Sequence, residues 1–380
     1  MSNLFDYLDW RGDLTFGNAP LCPVDALVFS VLAYIRMEDF IPAPPNAQPV
    51  RLSDAATEYF AATEGSPSTR HREFLERLAA TPRFGQLRVF GAQHEVDRED
   101  GIQFAAFSVL LPGQNLFVSF EGTDDTLIGW QEDLRMSYEC PVPAQLRAAA
   151  YLREVAAAYP MRRIFVGGHS KGGNLAMYAA VNSGEAVRYR IRAVFNNDGP
   201  GFCDHTLSTP QYHEMRERIH TFLPESSIVG VLLEHDDNYK IVKSDAKGLS
   251  QHDAYSWQIK GADFEYTAER TAFGQQTEAI LDHFVNTLSP ERKRQFTEAL
   301  FTVLESTEQD TLSGIVSNKM QSFKNALRGF GNLDPEVREM LTETLAALTR
   351  SRKTIRRASK RLAAAREVPT LPVGESEKSS

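Results

Sequence analysis

The stretch Arg163-Ile164-Phe165-Val166-Gly167-Gly168-His169-Ser170-Lys171-Gly172-Gly173 constrains this chain more than any other. Arg163 to Gly167 reads as a short buried strand and Gly172 to Val181 as a helix, which puts Gly168-His169-Ser170-Lys171-Gly172 on the turn between them. A serine on so sharp a turn takes a strained backbone conformation, and strand and helix approach each other only where neighbouring side chains are small. Gly167, Gly168, Gly172, Gly173 and Ala176 supply that room. A phosphate-binding turn would carry G-x-G-x-x-G or a P-loop string, and the sequence has neither. A G-x-S-x-G pattern in this setting predicts a nucleophile elbow with Ser170 as the nucleophile.

The surrounding pattern is that of an α/β protein. Phe104–Leu111 and Asn115–Phe120 are apolar, β-branched or aromatic runs split by Pro112-Gly113, which predicts two strands joined by a turn. Residues 144–158 form a helix by propensity. Arg190–Asn196 reads as a further strand that ends at Asp198-Gly199-Pro200-Gly201. Strands that alternate with helices and run as continuous apolar segments imply a mostly parallel sheet covered on both faces. Upstream, a helix is expected over 22–37. Pro42, Pro44, Pro45 and Pro49 then break the pattern, and two short helices follow around 53–62 and 68–80. The organisation expected is a domain over 1–290, with an N-terminal helical segment 1–95 and a core at 95–260, then a helical extension 291–366 and a disordered tail 367–380.

Charge divides the chain unevenly. The net charge is −9, yet residues 350–366 hold eight Lys and Arg and no acid, which leaves −17 for the rest. An acidic body argues against nucleic acid as a partner. Asp334-Pro335 is an N-cap followed by proline at the first helical position, and it opens a pattern that runs to about Arg366. Leu341, Leu348, Ile355 and Leu362 recur every seven residues, with Leu345 in the second seam. This predicts a helix packed along the acidic body; its cations would also suit anionic lipid headgroups, a peripheral membrane contact. Cys22, Cys140 and Cys203 are odd in number and far apart, so neither a disulfide framework nor a zinc site is expected. The opening residues lack the basic stretch and apolar run of an export signal, and a cytoplasmic location is the expectation. No cofactor or metal is implied.

Beyond the elbow, Val118-Ser119-Phe120-Glu121-Gly122-Thr123 is followed by Trp130 and Asp133-Leu134. With these motifs the sequence resembles the α/β-hydrolases, and is most similar to the class 3 lipases and to a bacterial family of lipase-like proteins. The resemblance covers roughly residues 95–260 and implies an α/β-hydrolase fold. In class 3 lipases the strand leads into Arg-Gly-Thr or Arg-Gly-Ser, whose Thr or Ser serves the oxyanion hole. Thr123 is the matching position, and Glu121 stands where the arginine would be. The oxyanion donors are then the backbone N–H groups of Thr123 and Lys171. A helix N-cap is the competing role for the Thr123 hydroxyl.

A serine hydroxyl needs a histidine base, and in this fold the base follows the nucleophile. His205, His213, His220, His235, His252 and His283 qualify by order. His252, in the polar loop Gly248-Leu249-Ser250-Gln251-His252-Asp253 after the apparent last strand near Tyr239–Val242, is selected, and the similar bacterial family has a comparable Gln-His-Asp loop. His213 and His220 lie on a helical pattern, and His235-Asp236-Asp237 reads as a solvated turn. Asp198, directly after a strand, is the first choice for the orienting acid. Class 3 lipases place theirs later, before a Val-Pro step, and Pro224-Glu225-Ser226-Ser227-Ile228-Val229 has serine there, with Glu225 as the alternative.

Two functions follow from this reading. One is a serine ester hydrolase acting on a lipid or other acyl ester through an acyl-serine intermediate. The other is a hydrolase fold used as a binding or scaffolding module, since fold alone does not carry function. A complete Ser, His and acid constellation within hydrogen-bond distance would separate them in favour of the enzyme, and no Asp or Glu near His252 would favour the module.

Overall fold

The computed structural model of the protein describes residues 2–43, 48–203, 205–272, 274–275, 288–339 and 341–343. In chain order the elements are α1 (Leu4–Arg11), α2 (Pro23–Leu32), β1 (Val50–Arg51), α3 (Leu52–Ala62), α4 (Arg70–Ala80), β2 (Arg88–Asp97), β3 (Ile102–Leu111), β4 (Asn115–Phe120), α5 (Leu127–Arg135), α6 (Pro143–Ala158), β5 (Arg163–His169), α7 (Lys171–Asn182), α8 (Glu185–Arg188), β6 (Ile191–Asn197), α9 (Pro210–Met215), β7 (Ile219–Pro224), β8 (Tyr239–Val242) and the short strands β9 (Ile259–Lys260), β10 (Asp263–Phe264) and β11 (Tyr266–Thr267). The helices α10 (Pro290–Glu305), α11 (Leu312–Ser317) and α12 (Lys319–Asn332) complete the described chain.

Nine strands form one sheet in the order β1-β2-β3-β4-β5-β6-β7-β8-β11. The run from β4 to β8 is parallel, and antiparallel strands extend both edges. Side-chain alternation along β4 explains why both faces are covered. Leu116, Val118 and Phe120 join the apolar layer under α6 and α7, while Phe117 joins the opposite layer with Phe29 of α2. Ser119, on the same side as Phe117, donates its hydroxyl to the Phe29 carbonyl at 2.9 Å. This is the α/β-hydrolase fold, and its parallel strands bring their carboxyl ends to one edge, where ligands bind in open α/β sheets.

Several expectations need correction. The N-terminal segment is not purely helical, because β1 and β2 extend the sheet from it. The helix expected over 22–37 stops at Leu32, and the chain continues in i→i−3 turns, Tyr34 N–H to Val31 O at 3.2 Å and Ile35 N–H to Leu32 O at 3.1 Å. His220 lies on β7, not on a helix, whereas His213 is on α9. Strands β9 to β11 follow Tyr239–Val242. Most plainly, Cys140 and Cys203 form a disulfide across 63 residues, leaving Cys22 free. Their spacing concealed it, because the pair meets only when the loop before α6 folds against the loop after β6.

At the C-terminal side, Phe296 and Ala299 of α10 form a small apolar cluster with Leu341. Residues 335–339 are helical, as Asp334-Pro335 predicts, and the Asp334 carboxylate accepts the Glu336 N–H at 3.1 Å. Leu345, Leu348, Ile355, Leu362, the basic stretch 350–366 and the tail 367–380 lie outside the described residues, as does His283.

Candidate active site

Ser170 sits between the last residue of β5 and the first of α7, with φ 57° and ψ −134°. That backbone is rare for any residue with a Cβ and is held by over-determined surroundings. A Cβ at Gly168 would stand 2.2 Å from the Gly172 carbonyl carbon and one at Gly172 2.3 Å from the Phe120 carbonyl oxygen, so the elbow closes on the helix and on β4 only with glycine at these two positions. The Ser170 N–H donates to Asn197 O at 3.0 Å, tying the turn to β6.

Asp198 begins the loop after β6, at φ 55°, and is fully buried. Its Oδ2 lies 2.6 Å from His252 Nδ1. A carboxylate oxygen only accepts, so Nδ1 carries a proton, and in the neutral ring Nε2 is the acceptor nitrogen. The other oxygen, Oδ1, accepts the Gly230 N–H at 3.2 Å and the Ser227 hydroxyl. Ser227, in the Pro224–Val229 segment where the sequence offered Glu225 as the acid, is thus a hydrogen-bond partner of Asp198. Glu225 is half-buried at the end of β7; its described partners are backbone contacts to Val242 and Thr271, and none joins it to His252.

His169, beside the serine, is buried, and its ring lies 4.6 Å from that of His252. Its Nε2 faces the His252 carbonyl oxygen at 2.8 Å and its Nδ1 the Tyr34 hydroxyl at 3.0 Å. The carbonyl fixes the Nε2–H tautomer, so Nδ1 accepts from Tyr34. Burial, with the neighbouring His252 second, lowers the pKa of His169 to about 3. On its other side the His252 loop is tied to α4, where Arg70 pairs with Asp253 at 2.5 Å and His71 Nδ1 meets the Tyr255 hydroxyl at 2.9 Å.

Thr123 donates its hydroxyl to Asp133 Oδ2 at 2.5 Å. It is not the helix cap, since Thr126 caps α5 by accepting the Gly129 N–H at 3.1 Å. Burial pushes the Asp133 carboxyl up to about 6, and its Oδ1 has no hydrogen-bond partner among the described residues. The Lys171 N–H opens α7, while its side chain runs inward to Glu132 Oε2 at 2.9 Å and the Gln103 carbonyl at 2.9 Å. Burial disfavours that charge, but Glu132 and Asp133 outweigh it and raise the Lys171 pKa. The sequence marked Lys171 only for its backbone. The buried Lys171–Glu132 pair, which braces the elbow helix against α5, had no local signal.

Ser170, His252, Thr123 and Lys171 line one cleft of about 670 Å³. Leu134, Met136, Val229, Leu232 and Leu233 give it apolar walls, and Tyr34, His71 and Tyr255 a partly polar side. Trp130 also lines it while 43% exposed. His205 and His213 are on the outer segments around α9, and His235 binds its ring to the Leu233 carbonyl at 3.1 Å. Among the described residues no group of His, Cys, Asp and Glu is arranged to hold a metal ion.

An elbow serine at the carboxyl edge of a mostly parallel sheet, with a carboxylate-bound histidine lining the same cleft edge, defines a lipase-like α/β-hydrolase. The chain belongs to the Mbeg1-like family, whose model matches residues 78–302. Comparison with curated proteins gives no match. Among solved structures it is similar to the Rhizomucor miehei lipase propeptide complex at 13% identity, covering 59% of this chain and 68% of that one with a TM-score of 0.35. A fungal lipase matches at 12% identity, 65% and 85% coverage and TM-score 0.37. The lipase from Rhizopus microsporus var. chinensis matches at 15%, with 63% and 88% covered and TM-score 0.33.

Proposed function

We propose that this protein is a serine hydrolase that cleaves acyl esters through an acyl-serine intermediate. The observation that carries the reading is the 2.6 Å contact between Asp198 and His252 Nδ1, in a cleft that Ser170, held at φ 57°, also lines. A scaffold has no need of a buried carboxylate that fixes one histidine tautomer. In this reading His252 Nε2 takes the Ser170 proton as Oγ attacks the ester carbonyl, and returns it to the leaving alcohol. A water then reverses the sequence to release the acid. Asp198 holds the imidazole and stabilises the imidazolium. The backbone N–H groups of Thr123 and Lys171 stabilise the oxyanion, worth ~3 kcal/mol per donor. The apolar residues Leu134, Met136, Val229, Leu232 and Leu233 suit an aliphatic acyl group.

A fluorophosphonate probe tests serine activation without knowledge of the substrate. The wild-type protein is expected to label and Ser170→Ala to remain unlabelled with an unchanged melting temperature within a degree or so, since one hydroxyl contributes little to stability. Equal labelling of the two proteins sinks the assignment.

A further inference from the structure

The loop after β4 runs Glu121-Gly122-Thr123-Asp124, so a carboxylate stands on either side of the Gly122-Thr123 pair. The Glu121 side chain is only 1% exposed, and a carboxylate there is costly unless a cation meets it. Lys171 is close but is committed to Glu132 and Gln103. The cation that reaches the loop is Arg36, from the turns after α2. Its Nη1 lies 3.0 Å from Glu121 Oε2 and its Nη2 3.4 Å from Asp124 Oδ2. Gln103 Nε2 donates to the same Glu121 oxygen at 3.2 Å. Burial pushes the Glu121 carboxyl up to about 7, against the pull of Arg36.

Asp124 turns its other oxygen to the Thr126 N–H at 2.9 Å, which fixes the entry into α5. One planar guanidinium therefore spans the end of a strand and the start of a helix. The loop between these anchors has no slack. A Cβ on Gly122 would stand 2.1 Å from the Tyr34 hydroxyl, 2.5 Å from the His169 carbonyl and 3.0 Å from the Ser170 Cβ. Displacement of this backbone changes where the Thr123 N–H points relative to Ser170. We propose that Arg36 is a positioning residue, clamping both ends of the oxyanion loop so that the Thr123 N–H stays aligned on the reacting carbonyl. The proposal rests on the serine-hydrolase reading above.

The test measures kcat and KM on a short-chain p-nitrophenyl ester, with fluorophosphonate labelling rates, for wild type, Arg36→Ala, Arg36→Lys, Glu121→Gln and the Arg36→Ala/Glu121→Gln double variant, each below its melting temperature. Misalignment of one donor should lower kcat of Arg36→Ala roughly 10- to 100-fold with KM within about twofold. Arg36→Lys keeps the charge but cannot span two carboxylates, and should recover part of the loss. With Glu121 neutral the clamp has less to hold, so the double variant should lose less than the product of the two single losses. If Arg36→Ala does not fold, Arg36→Lys and Glu121→Gln carry the measurement. Wild-type kcat and labelling in a folded Arg36 variant, or a rise in KM at unchanged kcat, overturns the clamp and leaves the hydrolase reading standing. A wild-type protein that neither labels nor turns over removes that reading, and the clamp falls with it.

Discussion

Asp198 reaches His252 across 54 residues because its own backbone takes a left-handed turn at φ 55° on leaving β6. Such a turn favours Asp or Asn, and Asp198-Gly199 in the sequence is compatible with it. The sequence favoured Asp198 over Glu225 only slightly, since both follow strands whose ends share one edge of the sheet. What separates them is where the loop carrying His252 returns, a tertiary fact without local signal. Kinetics distinguishes them directly. Asp198→Asn should lower kcat roughly 10³- to 10⁴-fold, because the amide no longer fixes the productive tautomer, while Glu225→Gln should stay within about twofold. A large loss in Glu225→Gln with none in Asp198→Asn would reverse the assignment. The elbow itself was legible because its demands are local: small residues on both sides of one serine, between a strand and a helix.

At the scale of elements, the His252 loop is held by contacts from several parts of the chain. His169 at the end of β5 grips its backbone, and Arg70 and His71 of α4 grip Asp253 and Tyr255. The alternation of strands and helices was readable because β4, β5 and β6 are continuous apolar runs. The second half of β2 was not, since His94-Glu95-Val96-Asp97 is exposed along its length and mimics a loop. The disulfide was missed for the same physical reason as the acid: pairing across 63 residues is decided by the fold. The grip of His169 has a pH signature. Its folded pKa of about 3 is below the unfolded 6.5, so under pH 6.5 the unfolded chain binds a proton that the folded one refuses. Stability is therefore lost as pH falls from 6.5 toward 3, by about 2 kcal/mol at pH 5. His169→Gln keeps a donor and an acceptor without titrating. Thermal melts at pH 7 and pH 5 should show the wild type losing more of its melting temperature than the variant. Parallel pH dependence in the two would mean that His169 is not buried neutral.

For the whole molecule, the C-terminal helices hold the helix that walls the cleft. Lys293 of α10 donates its Nζ to the Ser137 carbonyl at 3.1 Å, just past the end of α5, and the Leu127 N–H at the start of α5 donates to Asp310 O at 2.9 Å. Arg98 pairs with Asp310, and Thr126 bridges Thr311 in an antiparallel pair. Between these two anchors α5 carries Trp130, Asp133 and Leu134, all of which line the cleft. The helical extension was legible from its pattern but its role was not, because its partners lie more than 150 residues earlier. Two truncations separate this role from that of the basic stretch 350–366. A chain ending after residue 288 should lose both anchors, melt at least a few degrees lower, and turn over a soluble ester more slowly as α5 loosens. A chain ending after residue 343 keeps them and should retain wild-type turnover of a soluble ester. If the eight cations of 350–366 meet a membrane, that shorter deletion alone should reduce sedimentation with anionic vesicles and flatten its salt dependence, since such contacts are screened within about 8 Å at physiological ionic strength. Unchanged vesicle binding with a clear fall in melting temperature would instead place the basic helix against the acidic body, while wild-type stability and turnover after truncation at 288 would show that α5 holds the cleft wall without help.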